Sequence, residues 1–372
     1  MASLAVLLKL RGHIVSGSDE NVYPPMSDFL AENNVAVHKG FSPKNLEPLP
    51  DLVVIGNALS RGNPEIEAVL DLKLPYISMA ELLKEHFIRG KKSLVVTGTH
   101  GKTTTTSMLA WVFETAGKDP GFMIGGIAEN FGTSCRDAKG SFFITEGDEY
   151  DTAFFDKRSK FFHYLPEQLI LNNLEFDHAD IFNSLDEIKK AFRLMLRLIP
   201  KSGLIAANGD DPNVLAVMHS ANSPVIRFGF GELCDVRAEN IRTSASGTRF
   251  DVIDKRSGEF SQKQEFELNL AGKYNVLNAM GVITLARHNG IADRDLQGAF
   301  DSFKCVRRRQ ELRGEVNGIA VYDDFAHHPT AVRETIGAIR QKHADRRLIA
   351  VFEPRSNTSV RRVSQDALID SL

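Results

Sequence analysis

A glycine-rich segment with one lysine has the residue types that bind phosphate. It follows an apolar strand pattern and precedes a helix pattern that continues to Phe113. Glycines let backbone N–H groups turn toward phosphates, and the helix N-terminus adds positive potential. Lys102 can reach the terminal phosphates of a nucleotide, and Thr103 can ligate Mg²⁺. The glycine spacing is shorter than in the usual motif, so a glycine-rich turn with a solvated lysine is the alternative. The candidate phosphate-binding residues are Gly98, Thr99, His100, Gly101, Lys102, Thr103 and Thr104.

Two later segments place acidic residues at the ends of strand patterns. Residues 146–151 read E-G-D-E-Y-D, and residues 172–178 read N-N-L-E-F-D-H. Ligands bind at the carboxyl edge of a parallel sheet, and carboxylates there suit Mg²⁺. An imidazole can complete the shell of a second ion, so Glu146 and His178 join Thr103 as candidate metal ligands. A solvated acidic loop and a structural histidine are the alternatives.

Three further motifs are compatible with nucleotide binding, although none is decisive alone. Asn275 and Asn278 lie three residues apart, on one face of a predicted helix. Their amides can bind the edge of adenine, whereas capping of the helix by Asn275 is the alternative. Arg309 can clamp phosphate or belong to a solvated basic linker. Asp323 and His327 lie in the segment Y-D-D-F-A-H-H-P, again between a strand pattern and a helix pattern.

The elements that must position these residues alternate between strand and helix patterns, which predicts an α/β protein. A polar, glycine-broken stretch ends near residue 90, and a third α/β unit opens near residue 313. We therefore expect domains at 1–90, 91–312 and 313–372, with the outer two incomplete because the first strand and the last units are missing. Shorter alternating strands are expected over about 225–270. The strand patterns occupy residues 13–19, 52–56, 74–78, 94–97, 142–145, 169–172, 319–324 and 348–352, and helix patterns include 4–10 and a segment from about 329.

Bulk composition excludes several classes of protein. The chain has 372 residues, 42% hydrophobic and 25% charged, with a net charge of −3, so it has no global attraction for nucleic acid or an anionic membrane. Cys135, Cys234 and Cys305 are far apart, which suggests neither a disulfide framework nor a zinc ribbon. The first apolar run is too short for a secretory signal, and no apolar run is long enough for a membrane span. We expect a cytoplasmic protein.

The order of the motifs resembles the Mur ligase family from about Leu94 to the C-terminus. The front end resembles the UDP-binding domain of the branch that uses UDP-N-acetylmuramate, with Ser18, Asp19, Ser60 and Asn63 as candidate UDP-sugar contacts. The resemblance implies a three-domain architecture. Its parts are a Rossmann-like UDP-binding domain, a central P-loop ATPase-like domain and an incomplete Rossmann-like C-terminal domain.

The resemblance also implies an ATP- and Mg²⁺-dependent ligase that forms an amide through an acyl phosphate. The binding site would lie between domains, so that closure precedes chemistry. The implied roles are Lys102 on the β/γ-phosphates, Thr103 and Glu146 on a first Mg²⁺, His178 on a second, Asn275 and Asn278 on adenine, Arg309 on phosphate, and Asp323 with His327 closing the ATP site.

Within the family, three segments resemble the branch that attaches a preformed tripeptide, L-alanyl-γ-D-glutamyl-meso-diaminopimelate, during peptidoglycan recycling. These segments are 21–26, 150–161 and 352–358. Two of them supply the candidate peptide-binding residues Lys157, Arg158, Arg355 and Asn357. The alternatives are a ligase for free L-alanine and a nucleotide- or UDP-sugar-binding fragment without activity.

One position departs from the pattern of several family members. They carry a carbamylated lysine about fifteen residues after the histidine that matches His178, and here Arg193 occupies that neighbourhood. Arginine stays protonated and cannot form the carbamate, while Lys189 and Lys190 fall several residues early. We expect catalysis without bound CO₂.

Overall fold

A computed structural model describes residues 1–244, 246–256, 263–354 and 365–372. Within this part of the chain, none of the helices combines the length and apolar character that a bilayer span requires.

The N-terminal region contains two separate parallel strand pairs. β1 pairs with β2, and β3 pairs with β4. Buried Leu4, Val6 and Leu7 of α1 pack into the core, whereas Leu10 at the end of the same apolar pattern is 66% exposed. Asn63 caps α3 by accepting hydrogen bonds from Glu65 N and Ile66 N. The elements are α1 (Ala2–Leu10), β1 (Ser16–Asp19), α2 (Met26–Glu32), β2 (Ala36–Lys39), β3 (Val53–Ile55), α3 (Pro64–Asp71), β4 (Tyr76–Ser78) and α4 (Met79–Leu83).

The first strand of the central region begins at Lys92, close to the domain boundary expected between residues 90 and 91. Its elements are β5 (Lys92–Thr97), α5 (Lys102–Thr115), β6 (Gly121–Ala128), β7 (Thr133–Arg136), β8 (Phe142–Glu146), β9 (Asp151–Ala153), β10 (Asp156–Ser159), β11 (Gln168–Leu171), α6 (Leu185–Leu196), β12 (Leu204–Asn208), α7 (Pro212–Met218), β13 (Val225–Gly229), β14 (Val236–Ser244), β15 (Gly247–Asp254), β16 (Lys263–Leu268), α8 (Lys273–His288) and α9 (Asp293–Ser302).

Ten strands of the described chain form one sheet in the order β16-β15-β14-β13-β12-β11-β5-β8-β6-β7. The strands from β14 to β6 run parallel, while β15, β16 and β7 add antiparallel edges. β5 lies between β8 and β11, with Val96 beside Glu146 and Thr97 beside Leu171. The carboxyl ends of these three strands therefore meet, and the phosphate loop and both acidic segments follow them.

Apolar side chains alternate between the two faces of this sheet. Leu94 and Val96 face a core shared with α5, α8 and α9, whereas Val95 faces a second core shared with α1, α4 and α6. Both faces are covered, which explains why the central strands are continuously apolar. This packing fixes the strand ends that carry the candidate site.

The C-terminal region is a hairpin followed by helices, and the division expected after residue 312 falls within its first strand. β18 pairs antiparallel with β17 rather than opening a parallel unit. The strand expected at 348–352 is wrong: residues 347–354 have no regular structure, and Val351 is 94% exposed. A strand needs a partner for its backbone groups, and no strand in the described residues pairs with this segment. The elements are β17 (Glu311–Val316), β18 (Ile319–Asp323), α10 (Pro329–Lys342) and α11 (Gln365–Ile369).

Candidate active site

The phosphate loop connects β5 to α5, and its glycines are required by geometry. Gly98 and Gly101 have φ values of +129° and +78°, in the region that favours glycine. A Cβ at Gly101 would lie 2.5 Å from Asn278 Oδ1. Lys102 Nζ donates to the carbonyl oxygen of Gly98 at 2.8 Å, so the lysine side chain folds back along the loop. The loop therefore has the strand, turn and helix context that phosphate binding needs.

Lys102 and His178 meet at a shared carboxylate, Glu149, which the sequence analysis did not single out. Glu149 Oε2 lies 2.9 Å from Lys102 Nζ, and Glu149 Oε1 lies 3.1 Å from His178 Nε2. Burial raises the pKa of Glu149, but the charges of Lys102 and His178 outweigh it and the net pKa is lowered. Burial lowers the pKa of His178, but the hydrogen bond and the charge of Glu149 outweigh this effect. The net pKa is therefore above its usual value. Glu149 thus holds both side chains as a charged, buried group.

Thr103, Glu146 and Arg309 form a second polar group beside the loop. Glu146 Oε2 accepts a hydrogen bond from Thr103 Oγ1 at 3.0 Å, and Glu146 Oε1 accepts one from Gly125 N at 2.5 Å. Arg309 Nη2 lies 3.5 Å from Thr103 Oγ1. Burial raises the pKa of Glu146, which marks a carboxylate held away from solvent. A hydroxyl and a buried carboxylate side by side are a donor set that fits Mg²⁺.

Four buried amide and hydroxyl groups connect α8 to the strand ends. Asn172 Nδ2 donates to Thr105 Oγ1 at 3.0 Å and to Asn278 Oδ1 at 3.3 Å. Asn278 Nδ2 in turn lies 3.4 Å from Asn275 Oδ1. α8 begins at Lys273 with Gly272 as its N-cap, so Asn275 does not cap the helix. The capping alternative is therefore wrong, and both asparagines face a cavity.

This cavity has a volume of about 450 Å³ and is lined by residues of the central and C-terminal regions. The phosphate loop, the β11 and β12 ends, α8 and the C-terminal segment contribute to it. It brings together the sequence-predicted residues His100, Gly101, Thr104, Asn275, Asn278 and Arg309.

The C-terminal segment contributes Asp324 rather than the expected Asp323. Asp324 lines the cavity and accepts hydrogen bonds from Gln310 N at 2.7 Å and Ala326 N at 2.7 Å. Asp323 instead lies 3.5 Å from Arg308 in a half-exposed ion pair. His327 Nδ1 lies 3.0 Å from Phe325 O. Among the described residues that line the cavity, neither Asp323 nor His327 is present.

A cluster of two histidines and a glutamate joins the phosphate loop to the C-terminal segment. Glu175 Oε2 lies 3.6 Å from His100 Nε2 and 3.5 Å from His328 Nδ1. Thr330 Oγ1 donates to the same glutamate oxygen at 2.7 Å. Burial and then the neighbouring His100 lower the pKa of His328 to about 4, so its ring is neutral at neutral pH.

The candidate UDP-sugar residues lie in the N-terminal region, and two of them are held close together. Asn45 Nδ2 donates to Ser18 Oγ at 3.2 Å and to Glu65 Oε1 at 2.6 Å, so Ser18 lies near the start of α3, where Asn63 is the cap. Asp19 accepts a hydrogen bond from Asn21 N at 2.9 Å. Ser60 and Asp19 are exposed.

Two of the candidate peptide residues, Lys157 and Arg158, lie on the β9–β10 hairpin, where each has an acidic partner. Lys157 Nζ lies 2.7 Å from Asp151 Oδ2, and Arg158 binds both oxygens of Asp156 at 2.9 and 2.7 Å. The Lys157 and Arg158 side chains are 69% and 64% exposed. Arg355 and Asn357 lie outside the described residues.

The segment that leads into the C-terminal region is tied to β6. Val306 forms an isolated antiparallel bridge with Ala128. Arg307 N donates to Ile127 O at 3.1 Å, and Glu129 N donates to Cys305 O at 3.1 Å. The next three residues, 308–310, are free of this bridge, and Arg308 and Gln310 have φ values of +62° and +47°.

The comparisons with known proteins agree with the arrangement of these regions. Residues 1–90 match the model described as "Mur ligase family, catalytic domain", residues 96–286 the "Mur ligase middle domain", and residues 308–372 the "Mur ligase, glutamate ligase domain".

Three relatives show how far the similarity extends. The chain is 46% identical to a UDP-N-acetylmuramate–L-alanyl-γ-D-glutamyl-meso-2,6-diaminoheptandioate ligase of Escherichia coli (strain K12), over 100% of this chain and 80% of that protein. It is 34% identical to a UDP-N-acetylmuramate–L-alanine ligase of Acidithiobacillus ferrooxidans, over 95% of this chain and 74% of that protein. A crystal structure of a murein peptide ligase from Psychrobacter arcticus 273-4 superposes with a TM-score of 0.82 and 40% identity, covering 96% of this chain and 77% of that one.

The geometry of the phosphate loop and the 46% identity over the whole of this chain point to one conclusion. The chain belongs to the Mur ligase family.

Proposed function

We propose that this protein is an ATP-dependent amide ligase of peptidoglycan recycling. It joins the amine of the tripeptide L-alanyl-γ-D-glutamyl-meso-diaminopimelate to the lactyl carboxylate of UDP-N-acetylmuramate. The observation that carries the proposal is the 46% identity, over the whole chain, to a relative named for this reaction. The 34% identity to an L-alanine ligase keeps that activity as the second candidate.

The nucleotide would occupy the cavity between the phosphate loop, α8 and the C-terminal segment. Gly98, Thr99, Gly101 and Thr104 would present backbone and hydroxyl donors to the phosphates, while Asn275 and Asn278 bind adenine. The buried amide cluster supports this role because it fixes the orientation of both side chains before ligand arrives. Arg309 would contact phosphate from the far side, since it already lies beside Thr103.

Mg²⁺ would be held by Thr103 and Glu146, and a second ion by His178. When bound, Mg²⁺ neutralises negative charge on the nucleotide phosphates. Lys102 orients the phosphates, and Glu149 holds the side chains of Lys102 and His178 in position. In the C-terminal segment, we assign closure of the ATP site to Asp324, which faces the cavity, in place of Asp323 and His327, which do not line it.

The reaction would proceed in two steps, formation of an acyl phosphate and its displacement by the amine. An oxygen of the lactyl carboxylate attacks the γ-phosphorus, the bond to the β-phosphate oxygen breaks, and ADP leaves with that electron pair. The free amine then attacks the carbonyl carbon of the acyl phosphate, phosphate leaves, and the amine loses a proton. The side chains act mainly by positioning the reactants and neutralising charge.

The substrate sites would be divided among the regions. We propose that residues 1–90 bind the UDP-sugar through Ser18, Asp19, Ser60 and Asn63, that 91–312 bind ATP, and that 313–372 belong to the C-terminal domain. Lys157, Arg158, Arg355 and Asn357 are assigned to the peptide. The substrates are all small cytoplasmic molecules, so we place the protein in the cytoplasm.

The decisive experiment measures phosphate release and identifies the product by mass spectrometry. We expect release only when ATP, Mg²⁺, UDP-N-acetylmuramate and the tripeptide are all present, with a product mass equal to the two substrates less water. Phosphate release without the sugar nucleotide would indicate a simple ATPase and would contradict the proposal.

A further inference from the structure

Two imidazoles and one carboxylate from distant parts of the chain converge beside the nucleotide cavity. His100 comes from the phosphate loop, Glu175 from the segment after β11, and His328 from the N-cap of α10. One ligand atom from each residue lies within 4.8 Å of the other two. These residues are distinct from Thr103, Glu146 and His178, which we assign to Mg²⁺.

The separations suit tetrahedral coordination. With metal–ligand bonds of about 2.0–2.1 Å, neighbouring ligands of a tetrahedral Zn²⁺ ion lie about 3.3–3.4 Å apart. In the structure, Glu175 Oε2 lies 3.6 Å from His100 Nε2 and 3.5 Å from His328 Nδ1. The third separation, between His100 and His328, is within 4.8 Å, so the two imidazoles would move toward each other to enclose an ion.

The surroundings of His328 are those of a metal-ligating histidine. Its Nε2 lies 3.3 Å from Phe176 O, so this nitrogen donates to a backbone carbonyl and leaves the lone pair of Nδ1 toward Glu175. A backbone carbonyl on the far ring nitrogen is the usual outer partner of such a ligand. Glu175 is likewise oriented by Thr330 Oγ1. Thr330 N donates a long hydrogen bond, 3.3 Å, to His328 Nδ1. A bound ion would take the place of this hydrogen bond.

We propose that His100, Glu175 and His328 form a site for a zinc-type divalent transition-metal ion that joins the phosphate loop to the C-terminal segment. Two imidazoles select such ions over Mg²⁺, which prefers oxygen ligands. His100 and Glu175 line the cavity, so a fourth position can be taken by water or another ligand. The bound ion would hold α10 against the loop that includes Lys102.

The test is direct binding of Zn²⁺ to the 372-residue protein without nucleotide, measured by isothermal titration calorimetry. We expect a site that His328→Ala and His100→Asn each weaken by about 100-fold or more, because loss of an outer partner alone costs 10–100-fold. Two variants should bind Zn²⁺ like the wild type. His219→Ala removes an exposed imidazole at the C-cap of α7, and His178→Ala removes the imidazole that we assign to Mg²⁺.

A second measurement does not depend on the folding of any variant. Co²⁺ bound to the wild-type protein should give the intense visible absorption of tetrahedral coordination, and added Zn²⁺ should abolish it. Wild-type affinity in both His328→Ala and His100→Asn, or a weak six-coordinate Co²⁺ spectrum, would overturn the proposal. Neither readout requires ligase activity, so failure here leaves the proposed function untouched.

Discussion

At the scale of single residues, Lys102 is the clearest target. We expect Lys102→Ala to lower kcat by about 10²–10³ or more, because the ammonium acts on the transferring phosphate. Calorimetry should show unchanged binding of UDP-N-acetylmuramate, whose proposed contacts lie in residues 1–90. Lys118→Ala, in the partly exposed segment after α5, is the matched control. Parallel loss of sugar binding would mean that the substitution unfolds the protein or that the sites are misassigned.

Glu149 offers a second residue-level prediction, because it is 3% exposed and binds the side chains of both Lys102 and His178. Glu149→Gln keeps the size and an acceptor oxygen but removes the charge that compensates Lys102 and His178. We expect the free energy of unfolding to fall by about 1–3 kcal/mol and kcat to fall as well. Urea unfolding and steady-state kinetics measure the two effects. Glu187→Gln on the surface of α6 serves as control, and equal behaviour of the two variants would refute the assigned role.

Two pairs of acidic residues could not be told apart from the sequence. Glu146 and Glu149 stand three apart in one acidic run, and the residue types alone do not say which one faces Lys102. Asp323 and Asp324 pose the same difficulty, because neighbouring side chains on a strand point to opposite faces and the register decides which reaches the cavity. Both choices depend on tertiary packing that a single sequence does not encode locally.

At the scale of elements, the turn into α5 depends on a glycine. Gly101→Ala combines a positive φ with a Cβ 2.5 Å from Asn278 Oδ1, so it should destabilise the protein by about 1–3 kcal/mol and raise KM for ATP. Gly117→Ala is matched, because φ is +70° but nothing lies within 4 Å of the added Cβ. It should cost less stability and leave KM unchanged. Equal destabilisation by both would show that the contact with Asn278 is irrelevant.

The helix α6 bears on the role of bound CO₂. Its buried face includes Phe192 and Met195, and Arg193 lies beside this face on the same helix. Arginine cannot form a carbamate, so activity should not depend on added bicarbonate. Assays in CO₂-depleted and bicarbonate-supplemented buffer test this, together with intact-peptide mass spectrometry. A carbamate mass on Lys189 or Lys190, or activity that requires bicarbonate, would contradict the expectation.

Local patterns predicted the elements around the site well and failed where partners decide the outcome. The helices that begin at Lys102 and Pro329 are confirmed, because each follows a strand pattern and opens with a recognisable start. The apolar run 348–352 also consists of residues that favour strands, but no strand lies beside it in the described structure. Strand formation is non-local, so propensity alone did not decide it.

At the scale of the whole molecule, the choice of amine is the test of the recycling assignment. We expect kcat/KM for the tripeptide to exceed that for L-alanine, because its additional carboxylates can pair with guanidinium groups, at about 1.5–3 kcal/mol per charged hydrogen bond. In the described structure Arg158 pairs with Asp156, so the peptide would have to exchange partners there. Arg355→Ala should reduce the preference. Equal efficiency with both amines, or preference for L-alanine, would favour the L-alanine ligase.

The bridge between Val306 and Ala128 fixes where the molecule can bend. Since the backbone is anchored through Arg307, we expect any rotation of the C-terminal region to pivot at residues 308–310. Arg309 sits at this pivot, close to the rotation axis. Asp324 is held beside it by the hydrogen bond from Gln310 N, while α10 swings on a longer radius. A large rotation of the region therefore displaces the phosphate-facing guanidinium very little. Arg309, which we assign to a phosphate contact, can therefore stay beside Thr103 while α10 moves away and the nucleotide exchanges.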